Sequence, residues 1–262
     1  MSDRNLQPPL HLAILHDDEK VVSLLSHSEE AKARKNGLGF TAIEFAKFLG
    51  KYEFVKLLQS GNAHQIKMQL KGMNGLTLYS IQEFERIFRV SYIQSNVFFT
   101  PQFLAKVIQD CPWLLAHTVF GSEHRRLGSL LRTKVSSGFM EDVSVRWIDD
   151  SIGYGLFAER DFPKETYIGE YVGLVRKIKR FSPQLNEYCM HFPSRFFSYN
   201  YYLIDALACG NETRFINHSK TPNLQPICIL DRGLMHIVFF TTKAVAKGEE
   251  LRFNYGAWFK FG

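Results

Sequence analysis

Three short segments in the second half of the sequence carry side chains that could act together on a bound ligand. They are Gly153-Tyr154-Gly155, Arg214 to Ser219, and Glu250 to Gly256. Glycines let a backbone approach a ligand closely, and the amide of Asn217 can hold an ammonium or a carboxylate. The face and hydroxyl of Tyr255 can hold an amine. Taken singly, each has a structural alternative: an ordinary turn, a buried Asn–His network, or a buried tyrosine with one hydrogen bond.

The most specific pattern is Arg214-Phe215-Ile216-Asn217-His218-Ser219, followed by Pro222-Asn223. It resembles the R-F-x-N-H-S-x-x-P-N signature of SET-domain protein lysine methyltransferases. The second signature of that family, E-L-x-F-x-Y-G, resembles Glu250-Leu251-Arg252-Phe253-Asn254-Tyr255-Gly256. Three further family segments occur in the family's order: Gly153-Tyr154-Gly155, Gly169-Glu170-Tyr171-Val172-Gly173 and Tyr202-Leu203-Ile204-Asp205-Ala206.

This resemblance covers residues 143–256 and implies a fold and an activity. We expect a β-rich SET domain with a pseudoknot-like C-terminal segment, and short strand patterns with frequent glycines agree with that fold. The implied reaction transfers a methyl group from S-adenosyl-L-methionine to a lysine side chain of a protein substrate. The expected substrate is a histone tail or another basic DNA-associated protein.

The resemblance also assigns roles to particular residues. Tyr255 matches the catalytic tyrosine, and Phe253 is expected to influence how many methyl groups are added. Tyr188 lies where the family often places a second active-site tyrosine, and Tyr199 and Tyr201 compete for that role. The residues expected to bind the methyl donor are Gly153, Tyr154, Gly155, Arg214, Asn217 and His218. We expect structural roles for Glu170, Asp205 and Glu250.

Methyl transfer to lysine also requires particular surroundings. A free lysine has a pKa of about 10.4, so most of it is protonated at neutral pH. An apolar, aromatic channel disfavours the ammonium and lowers that pKa. The aromatic residues Trp258, Phe259 and Phe261 are candidates for one wall of such a channel.

The four cysteines give no sign of a metal site. Cys111, Cys189, Cys209 and Cys228 form no CxxC pair, so reduced thiols are expected rather than a disulfide framework. Many chromatin members of the family read N-H-S-C and add a cysteine cluster that binds zinc. Here Lys220 follows the motif, and we therefore expect no metal.

The N-terminal half contains an internal repeat with a period of 33 residues. Pro9-Leu10-His11-Leu12-Ala13 corresponds to Ala42–Ala46, and Val21–Leu25 corresponds to Phe54–Leu58, each 33 residues later. This pattern resembles the ankyrin repeat, whose units stack as pairs of short helices. Two units bury too little surface to stand alone, and residues 74–84 are a candidate for a degenerate third unit.

We therefore predict an α+β chain in three parts. Residues 1–61 form ankyrin-like repeats, residues 62–138 form a helical connecting region, and residues 139–262 form the SET domain. In the connecting region Pro101 is expected to open a helix and Pro112 to end one. The concave face of the repeats is a candidate site for a protein partner.

Composition limits the remaining possibilities. The chain has 262 residues, 45% hydrophobic and 22% charged, which is typical of a globular protein. The net charge is +6, of which +5 precedes Met140. This surplus indicates either an anionic partner such as nucleic acid or an ordinary solvated surface. The sequence shows no secretory signal or membrane-spanning pattern.

Ankyrin-like units joined to a SET domain without zinc clusters resemble proteins of bacteria that live inside eukaryotic cells. This similarity predicts an intracellular protein that is secreted into a host cell and acts on its chromatin in the nucleus. Three functional hypotheses stay open at this point. They are a protein lysine methyltransferase, an ankyrin-repeat interaction protein with an inactive SET domain, and a methyltransferase of a non-histone or small amine substrate.

Overall fold

A computed structural model describes residues 7–59, 64–178, 185–191 and 202–256. The helices are α1 (Pro9–Leu15), α2 (Glu19–Leu25), α3 (Glu29–Ala33), α4 (Ala42–Phe48), α5 (Tyr52–Leu58), α6 (Ile81–Phe88), α7 (Pro101–Gln109), α8 (Trp113–His117) and α9 (Ser122–Ser137). Short 3-10 helices span Val119–Gly121 and Glu212–Phe215. The predicted Tyr199, Tyr201, Trp258, Phe259 and Phe261 lie outside the described residues.

The strands alternate with these helices and then dominate the second half. They are β1 (Gln65–Gln69), β2 (Thr77–Ser80), β3 (Ser91–Tyr92), β4 (Val143–Asp149), β5 (Gly153–Ala158), β6 (Tyr167–Glu170), β7 (Leu174–Lys177), β8 (Cys189–His191), β9 (Tyr202–Asp205), β10 (Cys209–Gly210), β11 (Asn217–His218), β12 (Leu224–Asp231), β13 (Leu234–Thr241) and β14 (Glu250–Phe253). Helices in the first half and mostly strands in the second agree with the predicted α+β class.

The largest sheet has the strand order β11-β14-β5-β4-β1-β2. Its centre is the antiparallel pair β4 and β5, and β14 pairs antiparallel to the other side of β5. The smaller sheets have the orders β12-β13-β6, β7-β9-β8 and β10-β3. One hydrophobic core joins these sheets to α6, α7 and α8, so the helices of the connecting region cover the strands of the second half.

The connecting region predicted as helical at 62–138 holds the helices α6 to α9 but also the strands β1, β2 and β3. Strand β1 pairs in parallel with β4 and places the connecting region inside the largest sheet. Its burial alternates, with Ile66 and Met68 buried between polar neighbours, because successive side chains of a strand point to opposite faces. Residues 74–84 form a turn, β2 and the start of α6 rather than a third repeat unit. Pro101 opens α7 as predicted, and α7 ends at Gln109 shortly before Pro112, which also caps the start of α8.

The N-terminal helices reproduce the period found in the sequence. Helix α4 begins 33 residues after α1, and α5 begins 33 residues after α2. The two pairs share an apolar core of their own, which includes Ile14 and Phe45. A capping box closes the start of α4, where Thr41 and Glu44 satisfy each other's backbone N–H groups. The ankyrin-like assignment of these helix pairs stays a prediction.

The turn of the β12–β13 hairpin binds these helices to the strands of the second half. Strands β12 and β13 are joined by Arg232 and Gly233, which both have positive φ, as a two-residue hairpin turn requires. The guanidinium of Arg232 bonds to Glu44 and to the Gly39 carbonyl and lies 4.5 Å from the ring centre of Phe40. Burial alone would raise the pKa of Glu44, but its hydrogen bond from Arg232 holds that pKa below the usual value.

A buried lysine makes a second connection. Lys47 of α4 is fully buried and donates to the carbonyls of Ser136 and Ser137 at the end of α9, at 2.9 and 3.3 Å. Burial lowers the pKa of Lys47 to about 8. These carbonyls are the unpaired acceptors that every helix leaves at its C-terminus, so the lysine satisfies two of them.

Helix α9 lies directly on strand β12. A Cβ atom added at Gly128 of α9 would come within 2.0 Å of the Leu230 carbonyl oxygen. His124, one turn earlier on the helix, bonds through Nδ1 to the Cys228 carbonyl at 2.7 Å. Glycine at position 128 is therefore required by the contact between helix and strand. None of the described helices is long and apolar enough to cross a membrane.

We expect Gly128→Ala to lower the free energy of unfolding by about 1–3 kcal/mol, because the new methyl group must displace the backbone of β12. Intrinsic helix propensity alone predicts the opposite sign, a gain of about 1 kcal/mol. Urea denaturation measures the difference, with Ser129→Ala on the exposed neighbouring position as the control. A more stable Gly128→Ala protein would contradict the close packing of α9 on β12.

Candidate active site

The structure brings the three chemistry-bearing segments side by side in the largest sheet. Strand β14 pairs in parallel with β11, which aligns Asn217 with Arg252 and His218 with Phe253. On its other edge β14 pairs with β5, which aligns Leu251 with Leu156. Segments that are distant in the sequence therefore meet on three adjacent strands.

Asn217 is held by the two neighbouring segments. Its amide nitrogen donates to the Tyr154 carbonyl at 3.2 Å and to Glu250 Oε1 at 2.9 Å. Among the described residues, the Asn217 side-chain oxygen has no hydrogen-bond partner. Because both bonds use the amide nitrogen, the oxygen is left as an acceptor that a ligand ammonium can use.

The two glycines of the first segment serve different purposes. A Cβ atom at Gly155 would lie 2.9 Å from Glu250 Oε1, 3.1 Å from Asn217 Nδ2 and 2.7 Å from Ile148 Cδ1. Gly155 therefore permits the close contact between β5, Asn217 and Glu250. Gly153 has a φ of 82°, a conformation that favours glycine, and no atom lies within 4 Å of its virtual Cβ. The backbone at Gly153 is thus open to approach.

Tyr255 is fixed against the residues around Asn217. Its hydroxyl donates to the Ile216 carbonyl at 2.7 Å, and its backbone N–H donates to His218 Nδ1 at 3.1 Å. The ring of Phe253 lies 4.6 Å from that of Tyr255 and 5.0 Å from that of Phe239. Burial raises the pKa of the Tyr255 hydroxyl well above its usual value, so the group stays protonated at neutral pH.

Asn223 locks the chain after β11 onto β14. It makes two hydrogen bonds to the backbone of Arg252. The Asn223 N–H donates to the Arg252 carbonyl, and the Asn223 side-chain oxygen accepts from the Arg252 N–H. Its amide nitrogen donates to the Glu250 carbonyl at 2.8 Å and to Glu249 Oε1 at 2.9 Å. The buried side chain thus acts as an extra strand residue that extends the short pairing of β11.

Tyr188 is held near Tyr255 by three contacts. The hydroxyl of the buried Tyr171 donates to the Tyr188 carbonyl at 2.7 Å. The Tyr188 N–H donates to the side-chain oxygen of Asn186 at 2.8 Å. The guanidinium of Arg214 lies 4.3 Å from the centre of the Tyr188 ring, a cation–π contact. These contacts orient an aromatic ring that the sequence placed in the site only by resemblance.

Two predicted cofactor residues have their side chains engaged by protein. Arg214 donates to the Ala206 carbonyl at 3.1 Å and stacks on Tyr188, so its observed contacts support the aromatic side of the site. The ring of Tyr154 packs 5.0 Å from Phe88 and 5.2 Å from Trp147, while its carbonyl accepts from Asn217. Cofactor binding by these two residues stays a prediction.

The acidic residues of the motifs act as buried or half-buried hydrogen-bond acceptors. Asp205 accepts from Arg176 at 2.8 Å and from Asn186 at 3.0 Å, which fixes the loop that carries Tyr188. Glu170 is buried and bonds to His236 Nδ1 at 2.7 Å and to the amide of Asn96 at 3.1 Å. These contacts are those of residues that hold the fold together.

Sequence reasoning missed three residues that shape the site. They are Tyr171 and Asn223, which occur only as members of motifs, and Phe88, which belongs to no motif. The sequence signal for Asn223 is an asparagine directly after a proline. The short amide side chain of asparagine can hydrogen-bond to neighbouring backbone groups and so replace a missing strand partner. The positions of Phe88 and Tyr171 depend on contacts between distant segments, which one sequence does not reveal.

The cysteines are free thiols, and the described part of the chain has no cluster of three or more His, Cys, Asp or Glu residues placed to hold a metal ion. Burial raises the pKa of Cys111 and Cys209 to about 11. Because the thiolate is the reactive form, these two thiols are poor nucleophiles at neutral pH.

Residues 153–256 match the family model of the SET domain, which confirms the resemblance predicted for the second half. The mouse protein "Histone-lysine N-methyltransferase SETD2" is 38% identical over 106 residues, which cover 39% of this chain and 4% of that protein. "Histone-lysine N-methyltransferase, H3 lysine-36 specific" of Mycosarcoma maydis is 39% identical over 111 residues, which cover 39% of this chain and 11% of its own.

A solved structure also aligns with part of this chain. A crystal structure of KRYPTONITE with mCHH DNA, H3(1-15) peptide and SAH is 30% identical, has a TM-score of 0.37, and covers 44% of this chain and 23% of that chain. The match to the SET family model covers less than half of this chain and lies in its second half. The ankyrin-like repeats and the bacterial source stay predictions.

We expect Asn223→Ala to lower the free energy of unfolding by about 2–3 kcal/mol, because the buried Arg252 N–H and Glu250 carbonyl lose their partners. Chemical denaturation measures this loss. Asn74→Ala, at an exposed loop position, is the matched control and should change stability little. Equal stabilities of the two variants would show that Asn223 does not hold β14 to the chain after β11.

Proposed function

We propose that this protein transfers methyl groups from S-adenosyl-L-methionine to lysine side chains of protein substrates. The observation that carries the proposal is the close approach of Gly155, Asn217 and Tyr255 within the segment that matches the SET family model. The curated relatives with the same segment are named histone-lysine N-methyltransferases. Because the chain spans only a small part of those relatives, the activity is a proposal for this chain.

The residues present fit the methyl donor. The unused oxygen of Asn217 can accept a hydrogen bond from its ammonium group, and the open backbone at Gly153 permits close approach. The backbone groups of His218 and Tyr154 lie next to Asn217 and can also contact the donor. When bound, the donor supplies an electrophilic methyl group on a sulfonium. Positioning of that group against the amine supplies much of the rate.

The aromatic residues around Tyr255 prepare the lysine. Tyr171, Tyr188 and Phe253 place aromatic rings near the Tyr255 hydroxyl, and a low-polarity environment favours the neutral amine. Because the Tyr255 hydroxyl stays protonated, it serves as a hydrogen-bonding group and not as a base. Its oxygen can accept from the amine while its hydrogen is held by the Ile216 carbonyl.

A histone or another basic chromatin protein is the proposed substrate class. Mass spectrometry with isotope-labelled donor on a panel of histones, peptides, a bacterial basic DNA-packaging protein and small amines tests it. Label on lysines of basic proteins is the expected result. Label on small amines alone would overturn the substrate class, and donor binding without any transfer would favour the alternative of an interaction protein with an inactive SET domain. We also propose that the protein acts inside a host cell.

The variant Tyr255→Phe should reduce kcat on the order of 100-fold, because the amine loses the hydroxyl that orients it. Donor binding, measured by calorimetry, should stay within about twofold, since the ring is kept. Tyr79→Phe on β2 removes a hydroxyl distant from the site and is the matched control. Turnover of Tyr255→Phe at the rate of the unmodified protein would remove Tyr255 from catalysis.

For Asn217→Ala we expect weaker binding of the methyl donor, the quantity that Tyr255→Phe leaves unchanged. The affinity for S-adenosyl-L-methionine should fall by about 2–3 kcal/mol, because a charged ligand group loses its hydrogen-bond partner. Calorimetric titration measures the loss, and thermal melting checks that the sheet is intact. An unchanged dissociation constant would exclude Asn217 from the cofactor site.

Phe253 leads to a prediction about the number of methyl groups. It offers no hydroxyl to hold a water molecule beside the amine, so a methylated amine has room to rotate, and we expect di- or trimethyl-lysine. Phe253→Tyr should shift the products toward monomethyl-lysine with little loss of the first turnover. Mass spectra of products at excess donor measure the ratio. Strict monomethylation by the unmodified protein, or an unchanged ratio in the variant, would contradict this reasoning.

A further inference from the structure

A cleft of about 570 Å³ lies between the helices α7 to α9 and the tip of the β12–β13 hairpin. It shares no residue with the proposed methyl-transfer site. Its walls combine a few apolar groups with several cationic ones: Ile108, Gln109, Cys111, Ala116, His117, Arg125, Arg132, Leu230, Asp231, Arg232 and Gly233. The volume falls within the range of ligand-binding pockets.

The cleft carries more positive than negative charge. Its lining has three arginines but one carboxylate, Asp231, which Arg132 and Arg232 share at 2.7 and 2.8 Å. Arg232 is also paired with Glu44 outside the cleft. Two of the three guanidinium groups are therefore wholly or partly neutralised by acidic side chains.

Arg125 is different. Its guanidinium donates to the backbone carbonyls of Leu115 at 2.5 Å and Thr118 at 2.9 Å. Within the part of the chain that the structure describes, no carboxylate forms an ion pair with it. The carbonyls hold the group in a fixed orientation without cancelling its charge. A fixed, unneutralised guanidinium in a cleft is suited to bind phosphate.

One exposed aromatic ring lies beside this cleft, and a second lies in the segment that leads into α9. Trp113 is 66% exposed, and its ring centre lies 6.0 Å from that of His117, which lines the cleft. Phe120, in the 3-10 helix that leads into α9, is 74% exposed. Large exposed rings beside cationic groups are typical of surfaces that stack unpaired bases and bind the phosphates between them.

We propose that this cleft binds single-stranded nucleic acid, with a phosphate at Arg125 on the side that faces Arg132, and a base stacked on Trp113. An acidic peptide would use the arginines but leave the aromatic rings without a function. Duplex nucleic acid would offer phosphates but no exposed base faces. The charge distribution agrees, since +5 of the net charge of +6 precedes Met140. The proposal does not depend on methyl transfer.

Fluorescence anisotropy with the full chain and a labelled 12-nucleotide single strand tests the proposal. Stacking of one base is worth about 1–3 kcal/mol, so Trp113→Leu should weaken binding at least about fivefold. Arg132→Gln should weaken it by a similar factor. Its matched control is Arg126→Gln on the same helix, because Arg126 is exposed, pairs with Glu123 and does not line the cleft.

The expected result is saturable binding that both cleft variants weaken and the Arg126 control does not. Thermal melting verifies that Arg132→Gln still folds, and Trp113→Leu tests the site independently because its side chain is exposed. Equal losses for Arg132→Gln and Arg126→Gln would mean diffuse charge attraction and would overturn the proposal. So would tighter binding of a duplex, equal competition by polyaspartate or by a free nucleotide, or no saturable binding.

Discussion

The position of β14 between β11 and β5 is the constraint on which the candidate site depends. Each neighbouring strand carries one part of the chemistry, and β14 supplies Glu250, which accepts from Asn217. Strand β11 is two residues long, too short to hold its place by its own ladder. Asn223 supplies the missing bonds by pairing with the backbone of β14 after β11 has ended. Loss of this pairing would separate Asn217 from Tyr255, although neither residue would be changed.

The N-terminal half is part of the same structure and not an appended module. Strand β1 extends the sheet that contains the site, and Phe88 of α6 packs against Tyr154. The Arg232 hairpin tip and the buried Lys47 join the N-terminal helices to the opposite side of the strands. Phe40 and Phe48 also belong to the main hydrophobic core, so apolar packing connects the N-terminal half to the strands as well.

Features that depend on residues close together in the sequence could be predicted, whereas contacts between distant segments could not. Motif residues such as Asn217 and Tyr255 were predicted because their types and order are specific. Strand β1 was missed, since its partner β4 lies more than 70 residues away and its alternation spans only five residues. Arg214 was assigned to the cofactor by resemblance, while its contact with Tyr188 depends on folding of a distant loop. Local signals therefore predicted the parts, and long-range packing determined how they are oriented.

We propose that the methyl donor binds where β5, β11 and β14 meet. A crystal structure of the full chain with S-adenosyl-L-homocysteine tests this location. We expect the ligand's amine within hydrogen-bond distance of the Asn217 side-chain oxygen, beside the Gly153–Gly155 backbone and within reach of Tyr255. A ligand bound elsewhere, or one whose amine makes no contact with Asn217, would show that these strands do not form the donor site.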